Sequence, residues 1–425
     1  FGALLMINAG AMLVAAANEI IFLFVGLELV SIPTYLLLYY TRRTSRTQEA
    51  ATKYFFLSIF ASGLLLYGLA FLYGLTGLSN LKALGFLVVN SIGIPQTNLG
   101  LIALLFVMAG LSFRVASVPF HFYAPDVYEG SPTIMAALLS WIPKAIGFLA
   151  MVRALTVIFA PLGGAHPLVQ KAIVISWVIA AATMTIGNTV ALLQNNLKRL
   201  LAYSSIAHAG YLMIGITVAF TNDPKTIPPY LGSEGVLFYL LSYSLMTLGV
   251  FGIIIALRTE DGRSVETVDD LSGLGWAQPI PALGMAICIL SLTGFPFLAG
   301  FWGKFQIFTS AFLAEKGSMS SAFVVLAIIA VLNSAVGAYY YLRIIVTMYL
   351  RPAKRTFSLT GGWPMAVAVG TCVSLTLLIG LVPAPVAGAT REAAIAARAI
   401  PNPESSAVLQ TNASTPLLPA VATSR

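Results

Sequence analysis

The chain has 425 residues, 58% of them hydrophobic and only 9% Asp, Glu, Lys or Arg, with a mean hydropathy of +0.90. A soluble domain carries about 25% charged residues, so this composition excludes one and describes an integral membrane protein. The formal charge of +8 sits mostly in connections between apolar segments, and no basic stripe is interleaved with base-stacking aromatics, so nucleic acid is not expected as a partner.

Apolar segments of about 17 to 30 residues, each able to cross a hydrocarbon core of roughly 30 Å, fall near 1–17, 19–40, 50–74, 99–117, 131–158, 168–193, 197–220, 231–257, 281–313, 320–349 and 363–384. That predicts an all-α polytopic protein with about eleven membrane helices. A membrane barrel would show strands of about ten residues with alternating polarity, and no such alternation runs here. The sequence opens at Phe1 inside the first span, with no charged lead or cleavage site, which reads as an N-terminally truncated chain.

Charges inside these spans are the main functional signal. Glu28 lies in the second span, Lys53 at the start of the third, Arg114 near the end of the fourth, Lys144 in the middle of the fifth and Lys304 within the ninth. A charge at the centre of a membrane helix costs roughly 2.5 to 3.5 kcal/mol on insertion scales, so such residues usually line an ion or proton path. His208, of the residue type that changes charge near neutral pH, lies in the seventh span.

Three stretches interrupt the apolar pattern. SVPFHFYAPDVYEGSP, from Ser117 to Pro132, packs three prolines, His121, Asp126 and Glu129 between two spans. LTGFPFLAGFWGK, from Leu292 to Lys304, puts Gly294, Pro296, Gly300 and Gly303 inside one. Broken backbone at membrane depth survives only when buried in protein or beside water, which makes each break a candidate ion site. The third stretch, QNNLKRLLAYSSIAHAGY, opens a span with polar residues and carries His208.

Other chemistries lack support. Cys288 and Cys372 stand singly inside spans, with neither metal-ligand spacing nor a disulfide expected. No glycine-rich phosphate loop follows a strand, so no nucleotide site is read. Basic residues gather in alternate connections, at Arg42, Arg43 and Arg46, at Lys198 and Arg199, at Arg258 and Arg263, and at Arg351, Lys354 and Arg355, against Lys82, Lys225 and Lys316 in the others. The retention of Lys and Arg on the cytoplasmic side then puts the start of the chain in the cytoplasm and the C-terminal tail on the opposite side.

GLELVSIPTYLL around Glu28, EAATKYFFLSIFASGLLLYG around Lys53, SVPFHFYAPDVYEGSPT and NNLKRLLAYSSIAHAGYL, in this order, closely resemble the N-type antiporter-like subunit of respiratory complex I. The resemblance runs over essentially the whole chain to about residue 350. It implies a proton-translocating subunit of a bacterial inner-membrane NADH:quinone oxidoreductase, with an antiporter-like fold of two inverted five-helix repeats, each with one interrupted helix. The repeats would be 1–158 and 159–349, followed by a final span at 350–384 and a disordered tail at 385–425. This chain would hold no cofactor; NAD, FMN, iron–sulfur clusters and quinone would belong to other membrane and peripheral subunits.

Carried over by residue, Glu28 and Lys53 would be the family's acid–base pair on neighbouring helices, Lys144 its central lysine and Lys304 the lysine beside the second break. The family usually has a lysine before VPFH, where this chain has Arg114. Lysine can lose its proton when desolvated, whereas arginine effectively never does. Arg114 is therefore expected to hold Glu28 as an electrostatic partner rather than carry a proton. Glu28, Lys53, Lys144, His208 and Lys304 would be the proton-transfer residues, with neutralisation of Glu28 releasing the Lys144 proton and His208 linking Lys144 to Lys304.

Blander readings stand beside these. Glu28 and Lys53 would also fit a structural buried pair, Lys144 and Lys304 could snorkel from helix ends, and His208 could be a packing residue. His121, Asp126 and Glu129 fit either a water-filled entry or a capped loop, and the acids from Glu260 to Asp270 read as a solvated connection. The alternative functions are a cation/proton-exchanging subunit of a multisubunit antiporter and a purely structural membrane-arm subunit.

Overall fold

A computed structural model describes residues 1–398 apart from 42–43, 91–97, 160–161, 163–165, 222–230, 260–261, 263, 315–319 and 354–355. The fold is helical throughout the membrane, because in lipid each backbone N–H and C=O must be paired within its own segment. In chain order the helices are α1 (Gly2–Ala16), α2 (Ile20–Thr41), α3 (Ser45–Thr76), α4 (Leu81–Asn90), α5 (Asn98–Arg114), α6 (Tyr123–Gly130) and α7 (Thr133–Phe159). They continue as α8 (Pro167–Leu192), α9 (Leu197–Ala219), α10 (Ser233–Ala256), α11 (Pro279–Thr293), α12 (Ala299–Leu313), α13 (Ser320–Leu350), α14 (Gly362–Leu381) and α15 (Ala384–Arg398).

Eight of these are long and apolar enough to span alone, namely α2, α3, α7, α8, α9, α10, α13 and α14. The short apolar helix α1, α5 with its continuation α6, and the pair α11–α12 supply the other crossings, so the described residues fit the expected eleven. Local signals set the ends. Thr44 Oγ1 accepts the Thr47 N–H to start α3, Gly77 closes it in the left-handed region at φ 69°, and Asn196 Oδ1 accepts the Arg199 N–H to start α9.

Burial sorts the helices into a centre and a rim. The apolar window of α9 is 94% buried, those of α10 and α7 78% and 72%, and that of α14 only 17%. Close approach of α8 to α9 needs glycine. A Cβ on Gly187 would lie 2.6 Å from the Ala207 nitrogen and one on Gly210 2.5 Å from the Met184 nitrogen, the small-residue contact that membrane helices use to pack.

Both interrupted helices break as anticipated. After α5 the chain passes through Ala116 at φ 57° before α6, and between α11 and α12 it passes through Gly294 at φ 95° and Phe297 at φ 68°. Ala116 and Phe297 are non-glycine residues in the left-handed region, which local structure must over-determine.

The connections expected to be cytoplasmic meet on one face. A two-stranded antiparallel ribbon outside the apolar segments pairs β1 (Leu257–Thr259) with β2 (Phe357–Leu359), Asn196 bridges Thr267 and Arg351 bonds Asp269 at 2.6 Å. On the opposite face, Ile20 N–H bonds Ser79 O and an Arg153 nitrogen donates to Ala17 O. Arg42, Arg43, Lys225, Arg263, Lys316, Lys354 and Arg355 lie outside the described residues.

The segment after Pro383 is not wholly disordered, because it forms α15, with Thr390 and Ala394 buried and contacts to α10 and to the π-helical turn Val152–Thr156. Alanine has the strongest intrinsic helix preference, and the run from Ala384 to Arg398 is rich in it. It was missed because a short helix packed by one narrow face leaves no membrane-length apolar run. Residues 399–425 lie outside the described residues.

Candidate functional site

The first charged group joins α2, α3 and α5. Arg114 Nη2 lies 2.5 Å from Glu28 Oε1 and 3.0 Å from Ser62 Oγ, while Nη1 donates to Leu27 O at 3.1 Å. Ser62 also donates to the same Glu28 oxygen. Arg114 is 6% exposed, so its charge is compensated by a carboxylate and a carbonyl rather than by water. It closes the last turn of α5, where a cation also complements the helix dipole.

The expected Glu28–Lys53 pair does not form. Lys53 lies nine residues before Ser62 on α3, about 13 Å along the axis, and reaches the surface instead. There it bonds Glu49 at 2.8 Å and Asp126 at 3.0 Å with its side chain 43% exposed. Arg199 completes this cluster, 2.8 Å from Asp126 and 2.9 Å from Glu129. Glu49, Lys53, Asp126 and Glu129 line an open cup of about 270 Å³ together with Arg46. Lys198 is held beside it by the carbonyls of Glu129 and Ser131, both at 2.8 Å.

Lys144, 3% exposed, is in the middle of α7 and its ammonium donates to the backbone oxygen and the hydroxyl of Ser205 on α9. It is buried rather than snorkelling to a helix end. Tyr243 donates to the same hydroxyl at 2.8 Å, and the Lys144 Nζ lies 5.7 Å from the Tyr243 ring centre. Pro143 cannot supply the helical N–H that the Leu139 carbonyl would accept one turn back. Leu139, Pro143, Lys144, Arg114, Tyr54 and Tyr128 help line a cavity of about 10 Å³, roughly the room one water needs. Arg114 and Lys144 thus share a small void in the bundle.

His208 follows on the same helix and is 1% exposed. Its Nδ1 meets the Tyr239 hydroxyl at 2.5 Å and its Nε2 the Tyr341 hydroxyl at 2.9 Å, and Tyr341 also bonds Ser204. The Tyr211 and Tyr243 rings flank it at centroid separations of 5.8 and 5.1 Å.

Lys304, 6% exposed, starts from α12 and folds back across the second break. It donates to Thr293 O at 2.8 Å and to Ser334 Oγ at 3.0 Å, and its Nζ lies 5.1 Å from the Tyr211 ring centre. A cation on the closing carbonyls of α11 mirrors Arg114 at the end of α5. The fold therefore brings Arg114, Lys144, His208 and Lys304 into one buried series, with the partly buried Glu28 at its start, and leaves Lys53 at the surface.

The sequence reading missed Ser204, Ser205, Tyr239, Tyr243 and Tyr341. A signal for the serines was present, since Ser204, His208 and Tyr211 follow helical spacing on one face of α9. The tyrosines come from α10 and α13, and only the packed fold reveals that their hydroxyls converge. Among the described residues no group of His, Cys, Asp and Glu has the arrangement of a metal site.

Residues 17–358 match the family model described as NADH:quinone oxidoreductase/Mrp antiporter, membrane region. NADH-quinone oxidoreductase subunit N of Trichlorobacter lovleyi is 41% identical over 385 residues, covering 89% of this chain and 73% of that protein. A chain of respiratory complex I from Thermus thermophilus with bound aureothin superposes with a TM-score of 0.73 at 33% identity, covering 91% of this chain and 78% of its own. A chain of the Mrp complex from Dietzia sp. shares the fold, with a TM-score of 0.76 at 20% identity over 93% of this chain and 77% of that one.

Proposed function

The chain belongs to the NADH:quinone oxidoreductase/Mrp antiporter membrane family, and from that premise we propose that it is the N-type membrane subunit of an NADH:quinone oxidoreductase, moving protons along its buried Lys/Glu/His residues with Arg114 as their electrostatic partner. It is an integral membrane protein and works with the other subunits of complex I. NAD, FMN, iron–sulfur clusters and quinone act in those other subunits, and this chain converts their distant chemistry into proton movement. The bacterial inner membrane is its location, with the face bearing Arg46, Lys198 and Arg351 cytoplasmic. The organisation is two inverted repeats, 1–158 and 159–349, and the two breaks with their helix-end cations support that division.

The observation that carries the reading is Lys144 buried in mid-span, sharing a water-sized cavity with Arg114 and bonded to Ser205. While Glu28 holds Arg114, the guanidinium charge is compensated. Withdrawing or protonating Glu28 leaves that charge facing the Lys144 ammonium in a poorly screened site, and the repulsion pushes the Lys144 proton on towards Ser205 and His208. Arg114 keeps its charge and drives the transfer without carrying the proton. His208 and Lys304 continue the series. Lys53, with Asp126, is the surface group that exchanges protons with the cup.

The test is proton uptake by sealed vesicles holding the assembled complex, driven by NADH and a quinone, with Lys144→Ala compared against the unmodified chain. Loss of pumping with assembly intact is expected. Unchanged protons per electron would reject the reading and favour a structural subunit.

A further inference from the structure

The hydrogen bonds around His208 form a wire with two complete settings. Three links on fixed heavy atoms run Ser204 Oγ to Tyr341 OH, Tyr341 OH to His208 Nε2, and His208 Nδ1 to Tyr239 OH. A neutral imidazole has one N–H and one bare nitrogen, and a phenol donates once while still accepting. In one setting Ser204 donates to Tyr341, Tyr341 donates to Nε2, and the Nδ1 N–H donates to Tyr239. In the other every link is reversed. Both serve the two imidazole nitrogens and the Tyr341 hydroxyl completely, so neither leaves an orphan at the centre that would lock the network.

We propose that Tyr341 is the proton-relay residue into His208, and that His208 conducts by taking a proton at Nε2 while releasing one at Nδ1. This rests on the proton-translocating reading above. In the step, Ser204 gains a proton from the Lys144 side and gives its own to Tyr341. Tyr341 gives its original proton to Nε2, Nδ1 gives its proton to Tyr239, and Tyr239 passes its phenolic proton to the neutral amine of Lys304 or to water ordered against it. Each group gains one proton and loses one, so no group keeps a charge. The wire ends in the reversed setting, and turning the hydroxyls and the ring restores the first.

Position supports the direction of the path. Ser204 adjoins Ser205, the acceptor for Lys144. At the other end the Tyr239 ring lies against α12 beside Lys304, since a Cβ on Gly303 would stand 2.3 Å from Tyr239 Cδ2. Tyr341 is 1% exposed and is supplied by α13, so the relay depends on a helix outside the Lys144 and His208 pair.

The experiment is Tyr341→Phe in the assembled complex, which keeps the ring and removes only the hydroxyl. Pumping per electron in sealed vesicles is expected to fall at least about tenfold, the low end of what a positioned proton-transfer group contributes or below. The solvent deuterium isotope effect on residual pumping should rise. Tyr211→Phe, whose hydroxyl bonds Asn188 and no member of the wire, should pump normally and controls for lost packing. Should Tyr341→Phe fail to assemble, Ser204→Ala interrupts the same wire and decides the matter. If Lys144→Ala abolishes pumping while Tyr341→Phe or Ser204→Ala pumps normally with an unchanged isotope effect, the relay is wrong and the functional reading survives. If Lys144→Ala also pumps normally, the reading itself fails.

Discussion

Arg114 Nη2 and Glu28 Oε1 are 2.5 Å apart, and Ser62 bonds both. Deleting one member of a buried pair is costly because the other is left charged and unpaired, typically about 3–5 kcal/mol. Glu28 is 24% exposed on its side chain, so solvent lowers the cost. Arg114→Ala is expected to destabilise by about 2–3 kcal/mol and to reduce assembled complex, as measured by its abundance on native gels. Glu28→Gln combined with Arg114→Gln removes both charges and should recover much of the loss. If the double variant assembles no better than Arg114→Ala alone, the pair does not hold these helices.

Lys53 and Asp126 form a 3.0 Å bridge on the rim of an open cup, and exposed bridges are generally worth about 0–1 kcal/mol. Lys53→Ala should therefore leave assembly intact. Its pumping rate should fall by only a few fold, since water in the cup can replace an exposed proton carrier, whereas Lys144 has no such substitute. Initial rates of acidification in sealed vesicles check this. A Lys53→Ala defect as deep as that of Lys144→Ala would return Lys53 to the buried series from which the fold separates it.

Gly187 and Gly210 hold α8 against α9 with no room for a Cβ, while Gly370 on α14 has nothing within 4 Å of that position. Overpacking usually costs about 1–3 kcal/mol. Gly210→Ala should lower the thermal stability of the purified complex and misplace His208, two residues away. Gly370→Ala should match the unmodified chain or slightly exceed it, because alanine is the better helix former. Equal melting of the two variants would mean that α8 and α9 can separate at little cost.

The membrane helices and both breaks were legible because hydrocarbon leaves the backbone few options. A long apolar run must be a helix, and prolines clustered with glycines within one favour a break. The Glu28–Arg114 partnership was legible too, through the resemblance and the permanence of the guanidinium charge. The Lys53 error has the opposite cause. A motif places a residue on a helix but does not give its height relative to an acid on the next, and nine residues were enough to move Lys53 to the surface. The hydroxyls of Tyr239 and Tyr341 were hidden because tyrosine is common in apolar cores. Only the convergence of α9, α10 and α13 distinguishes a proton wire from packing.

Lys304 bonds Thr293 O and Ser334 Oγ across the bend at Gly294, so it has both a structural and a conducting role to lose. Ser334→Ala removes only a neutral partner and leaves the carbonyl in place. Hydrogen bonds involving charged groups contribute about 1.5–3 kcal/mol, so this variant should destabilise modestly and still pump. Lys304→Met keeps much of the apolar stem and removes the charge. It should assemble, because replacing a buried charge by an apolar group of similar length is often tolerated when no opposite charge is stranded, and among the described residues the carbonyl, hydroxyl and Tyr211 ring that face Lys304 are all uncharged. Its pumping should nevertheless fall as far as that of Lys144→Ala. Pumping and melting temperature measured on the same preparations separate the two roles. A Lys304→Met complex that melts early but pumps fully would make Lys304 a clamp on the broken helix and end the proton series at His208.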